Sequence, residues 1–417
     1  MPKPGYDPAV SEAISRGPLA GLRVLELSTV LAGPYCAMVL ADLGADVIKV
    51  EPPEGDPTRG YGPPWIGGND PGSERIAVYY LSVNRNKRSL RLDLHSPQGV
   101  EVLRRLIGRS DVLVENFRPG GLERLGLSDR ELLELNAKLV HLSITGYGPD
   151  GPDAAKPGFD FVAQAVGGLM SVTGFAEGDG GQPTKVGVAI SDVVTGLLGA
   201  VGVLAALRAG VGQRIDVSLL ESTLAMLINQ AQNAFATGEQ PRRRGNAHPN
   251  IVPYETFATA DGEIAVAVAT ERQWPRLCVA LGLNELIDDP RFVDNGARVR
   301  HRDELRPLLA ASFGLRPSAE WLAALDAAQI PCGPVNDVLA AFAQPQAVAR
   351  DMRVSVEHPV LGRVEQIGLP YKLSATPASI RSAPPILGEH SEEILRELGY
   401  SAMEIAEIRS SALAERS

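Results

Sequence analysis

A chain of 417 residues with 44% hydrophobic and 22% charged residues has the composition of an ordinary globular protein, yet exceeds what one hydrophobic core usually serves, so two domains are expected. A formal net charge of -10 excludes a general nucleic-acid binder, which would carry a basic face, and leaves room for a local basic pocket around an anionic ligand. Three widely spaced cysteines, Cys36, Cys278 and Cys332, and the lack of an apolar stretch in residues 1–18 predict a cytoplasmic protein with neither a disulfide framework nor a CxxC metal site.

Residues 21–27 read as a strand, Gly33-Pro34 opens a helix to about residue 43, and residues 46–50 form a second strand. This strand-helix-strand unit suits a parallel sheet. Strands at 88–94, 112–115 and 140–144, with a helix at 97–108, continue the alternation and predict an α/β fold with a doubly wound, Rossmann-like large domain. The GxGxxG fingerprint is missing, since only Gly33 lies in the first turn, so a nicotinamide-dependent enzyme is disfavoured although Glu51 mimics the ribose-binding acid. Residues 193–207 carry no charge and contain Gly196, Gly199 and Gly202. A membrane span needs about 20 apolar residues, so this run reads as a buried helix with close-packing glycines, and no membrane-spanning segment is expected.

A strand follows at 213–218, then one long helix from 221 to about 236. The polar stretch 239–245 leads to a hairpin, 254–260 and 263–269, around Asp261-Gly262, and to helices near 271–281, 302–313 and 318–327. Residues 352–357 and 362–366 look like paired strands, and Ser391 can cap a last helix. The expected domains are therefore 1–220 as the first part of the large domain, 221–244 as linker helix and loop, 245–334 as a smaller α+β domain, and 335–417 as a return to the large one.

Chemistry concentrates in Lys156-Pro157-Gly158-Phe159-Asp160-Phe161-Val162-Ala163-Gln164, where one carboxylate stands between a Pro-Gly turn and an apolar helical run. An Asp in the first turn of a helix commonly accepts free backbone N–H groups and complements the helix dipole. Its neighbours suggest more. Ser143-Ile144-Thr145-Gly146-Tyr147-Gly148, Gly167-Gly168-Leu169-Met170-Ser171-Val172-Thr173-Gly174, Val30-Leu31-Ala32-Gly33-Pro34 and Asn84-Arg85-Asn86-Lys87-Arg88-Ser89 together resemble the family III CoA-transferases, which include formyl-CoA transferase. The likeness runs from about residue 19 to 400. The stretches 80–87 and 143–148, and Gly245-Asn246-Ala247-His248 followed by Ile251-Val252-Pro253-Tyr254, look most like succinate-glutarate CoA-transferases.

The resemblance implies that Asp160 is a nucleophile that passes through a mixed anhydride and an aspartyl-CoA thioester while CoA moves from an acyl-CoA to a small carboxylate. Such a side chain is ionised at neutrality, with a reference pKa of ~3.9. As a weak nucleophile it depends on placement, on loss of water and on N–H groups that receive the oxyanion. The resemblance also maps a CoA pocket onto Leu31, Ala32, Leu92, Asp93, Leu94, His95, Asn116, Phe117, Arg118, Arg124, Ile144, Thr145, Gly146 and Tyr147, with Arg118 and Arg124 as phosphate-binding forks. By itself Arg124 reads as an exposed residue beside Glu123. A loop at Gly245, Asn246, Ala247 and His248 would close over Asp160, and His248 reads either as a ligand of the acceptor carboxylate or as a solvated loop residue. Two elongated subunits threaded into an interlocked homodimer, no tightly bound cofactor, and CoA or acyl-CoA as substrate complete the expectation.

Departures from the family pattern sharpen it. Leu31 stands where formyl-CoA transferase has a glutamine, and Pro52 replaces a CoA-contacting arginine, leaving Arg59, Arg85, Lys87 or Arg88 to supply the charge. A 2-methylacyl-CoA racemase of the same fold needs a histidine just before Asp160, where this chain has Phe159, which cannot carry a proton. Asp192 matches that racemase's second acid and reads either as a helix cap or as a substrate contact. The histidines show no HExxH or HxxH spacing and no GxSxG elbow occurs, so neither a metal nor a Ser hydrolase is expected. A non-catalytic CoA-binding protein is the alternative of another class, and the retained Asp160 speaks against it.

Overall fold

The structure, a computed structural model, describes residues 17–68, 75–176, 178 and 180–413. These fall into two compact units, one within Met1–Gly167, Gly187–Met226 and Pro345–Ser417, the other within Gly168–Val186 and Leu227–Gln344.

The first unit is built on six parallel strands: β1 (Arg23–Glu26), β2 (Asp46–Glu51), β3 (Lys87–Arg91), β4 (Val112–Glu115), β5 (Val140–Thr145) and β6 (Gln213–Ser218). They lie in the order β3-β2-β1-β4-β5-β6, with Val24 opposite Val47 on one side and Val112 on the other. Strands covered on both faces are apolar at nearly every position, and successive residues here serve different layers. Leu25, Ile48, Leu90 and Leu113 meet helix α2 (Pro97–Ile107) through Val102, Leu103 and Leu106, together with Ile394 and Leu395 near the C-terminus. Val24, Val47, Val112 and Leu142 meet helix α1 (Ala32–Asp42) through Cys36, Ala37 and Leu40, and helix α4 (Ile190–Ala209) through Ala200, Val203 and Ala206. Helix α3 (Asp160–Val166) and helix α5 (Leu219–Ala225) complete this part.

The uncharged run lies inside a helix of 20 residues that is long and apolar enough by length and composition to cross a membrane. Its glycines do pack closely, since a Cβ on Gly196 would stand 2.6 Å from the Ala32 carbonyl oxygen and one on Gly199 2.9 Å from Leu142. The expectation of a buried helix holds only for that face, because Leu197, Leu198 and Val201 are 40%, 41% and 62% exposed.

A buried charge network ties the strands together. Lys49 pairs with Glu26 at 3.0 Å and Asp56 at 2.9 Å, and Lys87 reaches the other Glu26 oxygen at 2.9 Å, all with fully buried side chains. Lys87 also donates to the Pro34 carbonyl at 2.9 Å and to Asn84 at 2.8 Å. Burial holds its ammonium down to about 8 against the opposing pull of Glu26.

The second unit holds an antiparallel sheet of Tyr254–Ala258, Glu263–Ala267 and Cys332–Pro334, with Glu263–Ala267 in the middle. The first two strands are the expected hairpin, and the third is an addition. Phe257, Trp274, Phe292, Phe313 and Trp321 form its core with helices Gln273–Leu281, Arg302–Phe313 and Ser318–Ala327.

The units divide the chain differently from the expected domains. Residues 168–186 join the second unit because Gly245 donates to the Gly174 carbonyl at 3.0 Å and Arg243 to that of Phe175 at 3.2 Å. Residues 335–344 join it as well, beginning with a Val335 N–H that continues the pairing onto Glu263. The single long helix expected from 221 is two helices, α5 and α6 (Ile228–Thr237), separated where Ile228 takes a φ of 35°. Ser391 opens the last-but-one helix instead of capping it, and its hydroxyl accepts the Arg91 N–H at 3.1 Å.

Removing the charge of Glu26 leaves two lysines buried with too little compensation. Breaking such an interaction costs about 3–5 kcal/mol, so Glu26→Gln is expected to lose that much unfolding free energy in urea titrations, and a loss under about 1 kcal/mol would contradict the network's role.

Candidate active site

Placement of Asp160 begins with two glycines. After β5 ends at Thr145, the backbone of Gly146 runs against that of Gly158: a Cβ on Gly146 would lie 2.6 Å from the Gly158 Cα, and one on Gly158 2.2 Å from the Gly146 Cα. Only glycine permits that approach. It pins the Pro-Gly turn to the carboxyl end of the sheet, and α3 starts two residues later.

The Asp160 side chain does not cap its own helix, whose N-cap position is the extended Phe159. One carboxylate oxygen accepts the Ser191 N–H at 2.8 Å and the other accepts the Gln164 side-chain amide at 2.8 Å. Ser191 lies in the first turn of α4, so the carboxylate meets one of the free N–H groups and the positive end of a second, 20-residue helix. Gln164 sits one turn along α3, a spacing visible in the sequence. Ser191 is remote in sequence, and no local pattern marks it.

A second acid stands beside this one. Burial, and then the charge of Asp160, push the Asp192 carboxyl up to about 7, so near neutrality it carries a proton part of the time. No capping bond from its side chain is present at the α4 terminus, whose N-cap is Ala189. The Tyr79 phenol is pushed up to about 12, by burial first and then by Asp192, Tyr61 and Asp160, and remains a hydrogen-bond donor. Tyr79 packs with Leu31, Met38 and Val83, so Leu31 lines an apolar wall near the two acids. Tyr79 carries no mark in the sequence, and Gln164 lies within the Asp160 segment with no role apparent from the pattern alone.

A cavity of about 1180 Å³ opens at the carboxyl ends of the strands. Leu27 and Thr29 after β1, Pro52 and Pro53 after β2, Leu92, Asp93, Leu94 and His95 after β3, and Phe117 after β4 line it, with Arg124. This is where the strand order reverses between β1 and β4, the usual place for a ligand in an open α/β sheet. Thr29 is fixed by Asn116, whose side chain accepts its N–H at 2.9 Å and donates to its carbonyl at 2.8 Å. Val30, between the cavity wall and Leu31, takes a φ of 70°, a strained geometry for a β-branched residue of the kind that clusters at functional sites.

Six of the expected CoA residues, Leu92, Asp93, Leu94, His95, Phe117 and Arg124, share this cavity, while Asn116 supports it from behind. Others lie elsewhere. Arg118 and Thr145 line a small cleft with His141 and Arg214 that shares Phe117 and Gly121 with the cavity, Ile144 is buried in the core with Ala32, Gly146 makes the backbone crossing, and Tyr147 follows it in the turn.

The substitutes proposed for the charge missing at Pro52 are all engaged. Arg59 pairs with Glu51 and Arg85 with Asp42, each at 2.7 Å, Lys87 with Glu26 at 2.9 Å, and Arg88 with Asp46 at 2.7 Å. Structural carboxylates therefore occupy these cations.

Gly245, Asn246, Ala247 and His248 belong to the second unit. Gly245 takes a φ of 61°, Asn246 donates to the Thr256 hydroxyl at 3.0 Å, and the His248 N–H donates to the Tyr254 carbonyl at 2.9 Å. Burial and then Arg302 lower the pKa of the His248 imidazole, which disfavours a cationic role at neutral pH. Among the described residues, no group of three or more His, Cys, Asp or Glu side chains could hold a metal ion.

Residues 19–391 match the family model described as CoA-transferase family III. The chain belongs to this family. Over 386 residues it is 44% identical to the succinate–glutarate CoA-transferase of Agrobacterium fabrum, covering 91% of this chain and 96% of that protein. It is 39% identical over 405 residues to the human succinyl-CoA:glutarate CoA-transferase, covering 96% and 90%. A crystal structure of a CAIB/BAIF family protein from Brucella suis superposes with a TM-score of 0.80 at 41% identity, covering 92% of this chain and all of that one. The protein is thus a family III CoA-transferase, an enzyme with an α/β fold on a parallel central sheet.

In this CoA-transferase the raised Asp192 pKa has a thermodynamic consequence. A carboxyl whose folded pKa exceeds its unfolded value stabilises fully below the unfolded pKa, near 3.9, and that contribution is lost as pH rises through about 7. The melting temperature of Asp192→Asn relative to the unsubstituted enzyme is therefore expected to climb between about pH 4 and pH 7 and then level off. A difference independent of pH would contradict the assignment.

Proposed function

We propose that this enzyme transfers CoA from succinyl-CoA to a small dicarboxylate of the glutarate type, with Asp160 as the covalent carrier. The observation that carries the reading is the Asp160 carboxylate held at 2.8 Å by both the Ser191 N–H and the Gln164 amide, in a chain whose similar proteins bear the names succinate–glutarate and succinyl-CoA:glutarate CoA-transferase.

An Asp160 oxygen attacks the thioester carbonyl, the C–S bond breaks, and CoA leaves as thiolate from a succinyl-aspartyl anhydride. The thiolate attacks the Asp160 carbonyl, the bridging C–O bond breaks, and succinate departs, leaving an aspartyl-CoA thioester. An acceptor carboxylate oxygen then attacks that thioester, giving a second anhydride and thiolate, and thiolate attack on the acceptor carbonyl releases the new acyl-CoA and restores Asp160. No proton is consumed overall. Fixing the carboxylate before the donor arrives supplies the orientation part of catalysis.

The cavity beside Leu92, Asp93, Leu94, His95, Phe117 and Arg124 accepts CoA in this reading, and its position at the strand ends supports it. Leu31 and Tyr79 line the approach to the carboxylate. No tightly bound cofactor is needed, since every bond made or broken belongs to substrates or Asp160. An interlocked homodimer of Rossmann-like subunits in the cytoplasm completes the proposal, and the exposed Phe159, Phe161 and Val166 on and beside α3, at 61%, 57% and 57% exposure, support a protein partner for that surface.

Incubation with succinyl-CoA followed by proteolysis and mass spectrometry is expected to show a CoA adduct on the peptide containing Asp160. A panel of carboxylic acids should yield product thioesters with dicarboxylates first, and α-deuteration of a 2-methylacyl-CoA in heavy water should not occur. Tight CoA binding with neither adduct nor transfer would overturn the reading in favour of a non-catalytic binder.

A further inference from the structure

Phosphate groups need cations that the fold has not already neutralised, and the CoA cavity contains one whose setting is unusual. Arg91 closes β3 and lines the cavity. Its main-chain N–H is taken by the Ser391 hydroxyl at 3.1 Å. Its aliphatic stem lies against Gly388, where an added Cβ would come within 3.0 Å of the Arg91 Cβ and 3.8 Å of its Cδ. The residue is therefore held by its backbone and along its stem. Its Nε is buried and has no hydrogen-bond acceptor among the described residues.

The adjoining acids do not satisfy it. Asp93 accepts the His95 N–H at 2.9 Å, and Glu101 pairs with Arg105 at 3.0 Å. Glu54, the remaining acid on the wall, is exposed. Arg104 and Arg124 bring two more guanidinium groups to the same cavity, the first already giving one N–H to the Gly126 carbonyl at 3.1 Å. A buried cationic donor without an acceptor is costly, and an anionic ligand removes that cost.

Resting on the CoA-transfer reading above, we propose that Arg91 binds a phosphate group of the acyl-CoA donor. With Arg104 and Arg124 it makes the enzyme prefer phosphate-bearing thioesters over phosphate-free pantetheine thioesters. Arg91 is a binding residue in this account, acting on donor capture and not on the acyl chemistry at Asp160.

Steady-state rates with succinyl-CoA and with succinyl-pantetheine test this in the unsubstituted enzyme, Arg91→Gln and Arg91→Lys. Arg91→Gln is expected to raise KM for succinyl-CoA about tenfold or more while kcat changes less than twofold and kcat/KM for succinyl-pantetheine stays unchanged, as expected on removing a charge-assisted contact. Arg91→Lys should recover part of the loss, keeping the charge without the fork. Equal losses with both donors would show a merely structural residue, and an unchanged KM for succinyl-CoA would show no phosphate contact; either overturns the inference while leaving the transfer reading intact. An unsubstituted enzyme that moves CoA from neither donor would instead overturn the transfer reading on which the inference rests.

Discussion

Two donors hold the Asp160 carboxylate in one place, as its proposed role as nucleophile requires: the Ser191 N–H at the start of α4 and the Gln164 amide one turn along α3. Both depend on the contact between Gly146 and Gly158, which sets the turn before Asp160 against the end of β5. The sheet positions the glycine crossing, the crossing positions α3, and α4 supplies the polar end that receives the charge. Each oxygen gives one lone-pair direction to these donors and keeps others for attack, since an ionised carboxylate has about four acceptor sites.

Negative charge is the main electrostatic problem of such a site. In the proposed transfer one carboxylate attacks and another accepts, and Asp192 adds a further carboxyl beside Asp160. Burial and Asp160 together move Asp192 up to about 7, so a proton shared into the site offsets part of the repulsion. In the proposed reaction Asp160 becomes an anhydride and then a thioester, its charge disappears, and one of the forces raising the Asp192 pKa disappears with it. Away from this site, the proposed phosphate contacts use the guanidinium groups that line the cavity, so that a charged donor is held without placing cations against Asp160.

Much of this was legible in the sequence because it is local. The strands Val112–Glu115 and Gln213–Ser218 and the helices Arg302–Phe313 and Ser318–Ala327 occur where the apolar pattern and the turn residues put them. The segment around Asp160 and the matching motifs identified the family. What escaped depends on residues distant in the chain. Arg59, Arg85, Lys87 and Arg88 read equally well as free cations until Glu51, Asp42, Glu26 and Asp46 are seen beside them. Phe117 borders both the large cavity and the small cleft beside it, whereas the next residue, Arg118, lines only the cleft. The break between α5 and α6 has no Gly or Pro at Met226-Leu227-Ile228 to announce it, and residues 168–186 join the second unit through bonds to residues some 70 positions later.

Oxygen exchange offers the most direct test that Asp160 carries the acyl chemistry. With an acceptor dicarboxylate labelled with oxygen-18 in both carboxylates, each completed transfer passes one acceptor oxygen to Asp160, so the peptide containing it should gain about 2 Da after a single turnover and succinate released in later turnovers should carry the label. Retention of all labelled oxygen in acceptor and product thioester other than that lost in direct displacement, with the Asp160 peptide unlabelled while transfer proceeds, would contradict the account.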